Sequence, residues 1–462
     1  MRIAILGYGV EGKSAAKFLK TSLRRRTSKF QIEIRDVKKQ GKNYLKNLEK
    51  FDMVVRSPGI PYLSPEIQKA KKAGVEITST TKLFFQNAKG ILVGITGTKG
   101  KGTTATLLYQ ILKAANLGSR DLSKRNIHLI GNMGIPMLDE LPKLNENSVS
   151  ILELSSFQLQ DMDSSPHIAV VLDISPDHLN YHRSFKEYLE AKAQLVKNKT
   201  SKLAQLPLPK PQAFQDFSQR DGARLSNSSA GEYAGLEKFD GKAAAFFFPD
   251  NKFSKQIAQK GKGRKIGVIA DRRLKLKIPG AHNLKNASMA AAIGHALGMK
   301  EAVLKKTIQN FKGLPHRLEF VREVRGVKFY NDSASTNPGA TVAALSAFKG
   351  PKILIAGGAG KNLDYRPIGK ALKNSGTKFV ILYGQNKKEI SNALARRSLG
   401  EGGVSKAAPT ILVKDLWSAV NLAFRRAGEG DVIILSPASA SFDQFSGYDE
   451  RGDVFKKIVR AL

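Results

Sequence analysis

The sequence predicts an α/β protein built mainly on parallel sheets and divided into about three domains. Short apolar runs of strand length alternate with stretches of helical apolar spacing along the chain. Two of those runs enter glycine-rich turns that open helices. The 462 residues also exceed what one core usually organises, at roughly 100–200 residues per domain.

The first strand, Arg2–Leu6, runs into Gly7-Tyr8-Gly9-Val10-Glu11-Gly12, and residues 13–20 then take helical spacing. A second strand, Gln31–Arg35, ends at Asp36. A strand, a GxGxxG turn and a helix N-terminus form the Rossmann-like βαβ opening that receives a phosphate. An ordinary tight βα turn is the competing reading. Residues 53–55 form a strand turned by Ser57-Pro58-Gly59-Ile60-Pro61. A strand at 90–95 opens a second region, and Gly313-Leu314-Pro315 reads as a linker to a third. The third region carries strands at 327–330, 352–356, 378–382 and Val432–Leu435. The expected domains are 1–90, 91–313 and 314–462. Residues 197–229 and 398–409 are rich in small and polar residues and read as surface insertions.

Composition is ordinary for a globular protein, at 41% hydrophobic and 25% charged residues. No apolar run approaches the roughly 20 residues of a membrane helix, and the first stretch is too short for a signal peptide. A cytoplasmic protein with no membrane partner is expected. The absence of cysteine excludes disulfides, thiolate zinc sites and a cysteine nucleophile. The net charge of +37, from 76 Lys+Arg against 39 Asp+Glu, admits three readings: nucleic-acid binding, a generally basic proteome, or polyanionic substrates. The basic residues are scattered, with small clusters at 23–26 and 260–265. There is one Trp and no aromatic-rich basic segment, so no stable nucleic-acid partner is expected.

The most informative motif is Gly94-Ile95-Thr96-Gly97-Thr98-Lys99-Gly100-Lys101-Gly102-Thr103-Thr104. Its glycines let backbone N–H groups approach phosphates, and Lys101 supplies a point charge for β/γ oxygens. The usual hydroxyl position after the lysine holds Gly102, with Thr103 one residue later. A second strand, 149–154, carries Glu153 in an otherwise apolar run. A carboxylate there is costly unless paired or on a metal, so Glu153 reads as a Mg²⁺ ligand, with a turn or cap as the alternative. A third strand, 168–172, leads into Asp173-Ile174-Ser175-Pro176-Asp177-His178. At that strand end His178 can reach the metal or a reacting carboxylate, and Asp177 would orient the loop.

These residues resemble the Mur ligases. Gly97-Thr98-Lys99-Gly100-Lys101-Gly102-Thr103 is similar to that family's phosphate loop, and Glu153-Leu154-Ser155-Ser156-Phe157-Gln158-Leu159 resembles a block of its D-glutamate-adding member. The likeness continues through Gly131-Asn132-Met133-Gly134, Ala281-His282-Asn283-Leu284-Lys285-Asn286, Leu314-Pro315-His316-Arg317, Asn331-Asp332-Ser333 and Ser436 to Phe445. The resemblance implies a UDP-substrate-binding N-terminal domain, a central P-loop ATPase domain and a Rossmann-like, amino-acid-binding C-terminal domain. It implies a monomeric, Mg²⁺-requiring enzyme of peptidoglycan precursor synthesis. ATP would activate UDP-N-acetylmuramoyl-L-alanine as an acyl phosphate, and D-glutamate would displace the phosphate. A sibling Mur or folylpolyglutamate-type ligase, or a nucleic-acid-binding P-loop ATPase, is the alternative.

The same resemblance implies the site. Residues 97–103 would hold ATP phosphates, with Lys101 catalytic. Thr103, Glu153, His178 and Lys192 would meet Mg²⁺, Lys192 as the family's carbamylated lysine. Asn286 would lie beside adenine, Arg317 at phosphate and Asp332 at ribose. Gly7, Gly9, Val10, Asp36 and Lys38 would hold the uridine diphosphate, and Asn132 and Gln158 the muramoyl-peptide arm. Lys361, Ser441 and Tyr448 would take the amino-acid carboxylates.

One departure has a consequence for specificity. Where the D-glutamate ligases carry Lys after Asp-Ser, this chain has Ala334. The glutamate carboxylate must then find its cation elsewhere, in Lys361 or another basic residue. Lys361→Ala is therefore expected to raise KM for glutamate more than any substitution at Ala334 does. Equal KM values for wild type and variant would refute this.

Overall fold

The computed structural model of the chain describes residues 1–24, 29–116, 125–131, 136–179, 181–197, 243–360, 363–373, 375–395 and 408–462. Their strands form three sheets. The first comprises β1 (Arg2–Leu6), β2 (Gln31–Arg35), β3 (Met53–Arg56) and β4 (Glu76–Ser79) in the order β2-β1-β3-β4, all parallel. The second comprises β5 (Ile91–Thr96), β6 (Asn126–Gly131), β7 (Ser148–Glu153), β8 (Ile168–Val171), β9 (Ala244–Phe247) and β10 (Arg264–Gly267). Its order is β10-β9-β8-β5-β7-β6, again all parallel.

The third sheet comprises β11 (Glu319–Val324), β12 (Val327–Asn331), β13 (Lys352–Gly357), β14 (Thr377–Tyr383), β15 (Thr410–Leu412) and β16 (Val432–Leu435), in the order β11-β12-β16-β13-β14-β15. Only β11 and β12 run antiparallel. Their two-residue connection, Arg325-Gly326, has φ of 50° and 72°, the paired left-handed geometry that matches hairpin twist.

By its contacts the chain forms two compact units. Residues 1–274 with 285–308 make the first, and residues 275–284 with 309–462 make the second. In the first unit, every residue of β5, β7 and β8 is buried, as parallel strands covered on both faces require. One apolar core there runs from Ile3 and Ile5 through Phe84 and Phe85 to Leu152, Leu154 and Val171. Each such side chain contributes about 1.5–3 kcal/mol by leaving water. In the second unit Phe329, Ile353, Ile355, Ile433 and Phe455 pack one core.

Where strands are long and apolar, the sequence reading and the structure agree closely. β1, β2 and β16 match to the residue, and β3 continues through Arg56. The first helix, Val10–Arg24, begins inside the glycine motif rather than after it. Strands β4, β6, β9, β10, β11 and β15 were not anticipated. They are three to six residues long, and all but β9 mix polar residues into the run, whereas β9 is a short apolar run of Ala and Phe that the sequence reading missed. Apart from Lys197, Ala408 and Pro409, the two expected insertions lie outside the described residues.

The glycine turn shows why its spacing is strict. Gly7 N–H donates to the Arg35 carbonyl at 2.8 Å, and a Cβ on Gly12 would lie 1.9 Å from the Gly7 carbonyl oxygen. Main chain cannot yield as a side-chain tip can. Gly12→Ala should cost about 1–3 kcal/mol, read as a lower urea midpoint at unchanged m-value. A wild-type midpoint would show that the turn tolerates the methyl.

Candidate active site

The second sheet brings three strand ends together, because β8, β5 and β7 are neighbours in that order. Crevices at the carboxyl ends of such strands are where open parallel sheets bind ligands. From β5 the chain enters the loop Gly97-Thr98-Lys99-Gly100 and leaves in the helix Lys101–Asn116. Gly100 takes φ +86°, and a Cβ there would lie 2.3 Å from the Asn286 Oδ1. The loop's tight approach to the helix Ala281–Ala296 therefore needs glycine. The first helical bond, Thr104 N to Gly100 O at 2.9 Å, starts the helix directly above the loop, so that its N-terminus favours an anion there.

Neighbouring strand ends brace this loop. Thr98 N–H donates to the Asp173 carbonyl at 2.8 Å, and the Thr98 hydroxyl bonds the Ser175 carbonyl at 3.0 Å and the Tyr188 hydroxyl at 2.8 Å. The Asp173 carboxylate accepts from Lys285 Nζ at 2.8 Å, which also reaches Asp250 at 3.1 Å. Thr98 is thus engaged in holding the loop, a role not read from the motif.

Two lysines converge on the loop. Lys101 Nζ donates to the Gly97 carbonyl at 3.1 Å and the Thr98 carbonyl at 3.2 Å. Lys192, on the helix Phe185–Lys197, donates to the same Gly97 carbonyl at 2.9 Å and to Thr96 Oγ1 at 3.3 Å. Its ammonium also lies 4.7 Å from the centre of the Tyr188 ring. Lys192 is 2% exposed. Burial first, and then the Lys101 charge, hold its amine well below the usual lysine range, against smaller opposing effects of Asp177 and Glu153.

Glu153 closes β7 in register with Ile95 of β5 and Gly131 of β6. It is buried, and its carboxylate makes no hydrogen bond or ion pair among the described residues. His178 follows β8 with φ 54°, a left-handed conformation uncommon outside glycine. Its N–H donates to Asp177 Oδ1 at 2.9 Å, and its ring rests edge-on against Phe157 at 4.9 Å. Partial burial lowers its pKa, with Asp177 opposing and the two lysines assisting, which favours the neutral imidazole. Lys101, Lys192, Glu153 and His178 thus form one electrostatic neighbourhood.

Gln158 takes part in the N-cap of the helix Ser156–Leu159. Ser155 N–H and the Ser155 hydroxyl donate to its Oε1, both at 2.9 Å, in a capping box. In the first sheet, Asp36 accepts from Tyr8 N at 2.6 Å and Lys38 N at 2.9 Å, and these two bonds hold its carboxyl below the usual range. It therefore ties the glycine turn to the end of β2. Gly9 has open space around it, and Val10 is exposed. Asn132 and Lys361 lie outside the described residues.

The second unit gathers its own residues at the ends of β12 and β16. Asp332 is buried, accepting from Leu318 N at 3.2 Å and from the Ser436 hydroxyl at 2.8 Å. Arg317 is exposed between His316 and Leu318, both at positive φ. Ser441 is buried and Tyr448 exposed. Arg451, which the motifs did not flag, is completely buried. It donates to the Ser333 hydroxyl and carbonyl, both at 2.9 Å, and to the Ser439 and Ala440 carbonyls, both at 3.1 Å. Its signal was available, because Arg451, Phe455 and Val459 recur at helical spacing on one buried face.

A phosphate loop flanked by a buried carboxylate, a buried amine and a neutral imidazole defines a nucleotide-dependent phosphoryl-handling protein. Residues 95–294 match the Mur ligase middle domain, and residues 316–439 match the Mur ligase glutamate ligase domain. The chain belongs to the Mur ligase family. It is similar to the UDP-N-acetylmuramoylalanine–D-glutamate ligase of Acetivibrio thermocellus, at 34% identity over 100% of this chain and 96% of that one. The enzyme of that name from Symbiobacterium thermophilum is 35% identical over 91% of this chain and 87% of its own. Among solved structures, MurF from Acinetobacter baumannii superposes with TM-score 0.53 at 15% identity, covering 89% of this chain and 92% of that chain. UDP-N-acetylmuramate-alanine ligase MurC from Thermotoga maritima gives 0.52 at 16%, covering 100% and 99%. At these identities the structural likeness is one of fold.

Asp332 offers a test in solution. Burial raises its pKa to about 6 from 3.8. Between those values the folded state binds the proton more tightly than the unfolded chain, so this group's contribution to stability falls as pH rises through 6. The difference is about 3 kcal/mol at neutral pH relative to pH below 4. Asp332→Asn should remove that component, and denaturation at pH 4 and pH 7 should show it. Identical pH dependence in both proteins would refute the assignment.

Proposed function

We propose that the protein is an ATP-dependent ligase that joins D-glutamate to UDP-N-acetylmuramoyl-L-alanine through an acyl phosphate, in peptidoglycan precursor synthesis. The full-length kinship with ligases of that name supports the substrates. The observation that carries the chemistry is the convergence of Lys101, Lys192, Glu153 and His178 at three adjacent strand ends.

The muramoyl-alanine carboxylate attacks the γ-phosphorus of ATP, and ADP leaves. The glutamate amine then attacks the acyl carbon, phosphate departs, and the nitrogen loses its proton. Residues 97–103 hold the phosphates through main-chain N–H groups, and Lys101 offsets charge developing on the transferring group. His178, neutral and held by Phe157, orients the attacking carboxylate. Lining up two carboxyl-bearing ligands with ATP is the larger part of the task.

The donor set fits Mg²⁺, which prefers oxygen ligands. Glu153 offers a buried carboxylate with no protein partner among the described residues. Thr103 offers a hydroxyl in the first helical turn. Lys192 as a cation is no ligand, but its depressed pKa provides a neutral amine able to take up CO₂, and the carbamate supplies two anionic oxygens. The bound metal would screen the β/γ-phosphate oxygens and so favour attack by an anion. Asp36 and the glycine turn would hold the uridine diphosphate, with Ser441, Tyr448 and Lys361 at the amino acid.

ADP release measured with UDP-N-acetylmuramoyl-L-alanine and a panel of amino acids tests this reading. D-Glutamate alone should support turnover, Lys101→Met should reduce kcat by roughly 10²–10³, and ¹³C-bicarbonate should label Lys192. Turnover with L-alanine or a diamino acid in place of D-glutamate would assign the chain to a sibling activity. ATP hydrolysis driven by RNA or DNA would overturn the ligase.

A further inference from the structure

Arg56 closes β3, and its side chain is wholly buried. One guanidinium nitrogen donates to the Pro58 carbonyl at 3.2 Å and the Ile60 carbonyl at 2.8 Å. The other donates to the Phe157 carbonyl at 3.0 Å and to Asp161 Oδ1 at 2.6 Å. Asp161 is itself 2% exposed. One side chain thus grips the Ser57–Pro61 turn after β3 and the short helix after β7.

Tyr181 repeats the grip. Its hydroxyl lies 3.0 Å from the Pro58 carbonyl and 3.1 Å from the Ile60 carbonyl, the two that Arg56 also engages. Its ring lies on Phe157 at 4.1 Å. Tyr181 belongs to the turn that His178 begins, since the His178 carbonyl accepts from Tyr181 N and His182 N at 3.0 Å. On the other side, the Ser57 hydroxyl donates to the Gly7 carbonyl at 3.1 Å. A continuous set of contacts therefore runs from the glycine turn through Ser57, Arg56, Tyr181 and Phe157 to His178.

The ion pair is poorly suited to stabilising the fold alone. Arg56 Nε and Asp161 Oδ2 are buried without a hydrogen-bond partner among the described residues. An apolar pair of similar volume commonly does as well or better at such a site. A planar guanidinium adds fixed direction, because its donors leave at set angles.

We propose that Arg56, held by Asp161 and seconded by Tyr181, is a positioning residue that sets the spacing between the nucleotide-holding glycine turn and the carboxylate-orienting His178. The inference rests on the ligase reading above. A long substrate anchored at both ends is sensitive to that spacing, and a displacement of about 1 Å can cost on the order of a hundredfold in rate.

Arg56→Met alone strands a buried carboxylate and risks unfolding, so the decisive variant is Arg56→Met with Asp161→Leu, accompanied by Tyr181→Phe. Melting temperature and ADP-release kinetics are measured for each. The double variant should still unfold cooperatively, at a lower melting temperature because the Pro58, Ile60 and Phe157 carbonyls lose their donor, and should lose about ten- to a hundredfold in kcat/KM for UDP-N-acetylmuramoyl-L-alanine. KM for ATP and for D-glutamate should stay within about twofold. Tyr181→Phe should move the same parameter in the same direction by less, and Arg56→Lys with Asp161 intact should recover part of the loss. A well-folded double variant with wild-type kcat/KM, or with equal losses for all three substrates, overturns the proposal. Wild-type protein that fails to turn over the muramoyl substrate would instead overturn the ligase reading, and this inference with it.

Discussion

Two ammonium groups donating to one carbonyl oxygen, that of Gly97, set the terms for the central sheet. Two like charges held that close repel more strongly away from water than in it. A fold that builds such a pair in a buried place must relieve it. Lys192 relieves it by holding a neutral amine more readily than an ordinary lysine. An anion at the loop relieves it further, and the helix N-terminus beside Lys101 points main-chain N–H groups the same way. Charge and burial at this loop thus favour an anion before any specific ligand contact is considered.

A cluster of this kind works only if the loop beneath it does not move. Thr98 is fastened through its N–H and its hydroxyl, to Asp173, Ser175 and Tyr188. Asp173 is fastened in turn by Lys285. Gly100 lies against Asn286, so the helix Ala281–Ala296 forms one wall of the loop. Each contact is worth about 1 kcal/mol or less in net stability. Their combined effect is preorganisation, since donors already aimed at a developing charge need not reorient when it forms.

The legible parts were those whose physics is local. Strands buried on both faces announce themselves as apolar runs, and the phosphate loop announces itself by glycines at backbone-approach positions. The place of Glu153 at the buried end of β7 was legible because a carboxylate in an apolar strand is anomalous. Gln158 shows the limit: its place in a familiar block pointed to a substrate contact, while the S-x-x-Q spacing from Ser155 also spelled a capping box. The Thr98–Tyr188 pair was not legible, because it joins residues 90 positions apart through tertiary packing alone. Short edge strands such as β11 and β15 were missed for a different reason, since half-exposed segments of mixed polarity resemble loops until a partner strand is seen.

Arg56 and Arg451 show where precision is stored. Each is fully buried, one in each unit, and each spends most of its donors on main-chain carbonyls rather than on a carboxylate. Arg56 fastens the turn after β3 to the short helix after β7. Arg451 fastens the turn after β12 to the loop after β16. In both cases the carbonyls belong to turns, loops or a one-turn helix beyond strand ends, where no sheet ladder satisfies them. A buried loop carbonyl needs a donor, and arginine can serve several at once in a fixed plane. The same act that satisfies the backbone also removes its freedom to shift. Functional loops in this fold are therefore held because their polar atoms are buried and shared, and one guanidinium both satisfies those atoms and fixes their geometry.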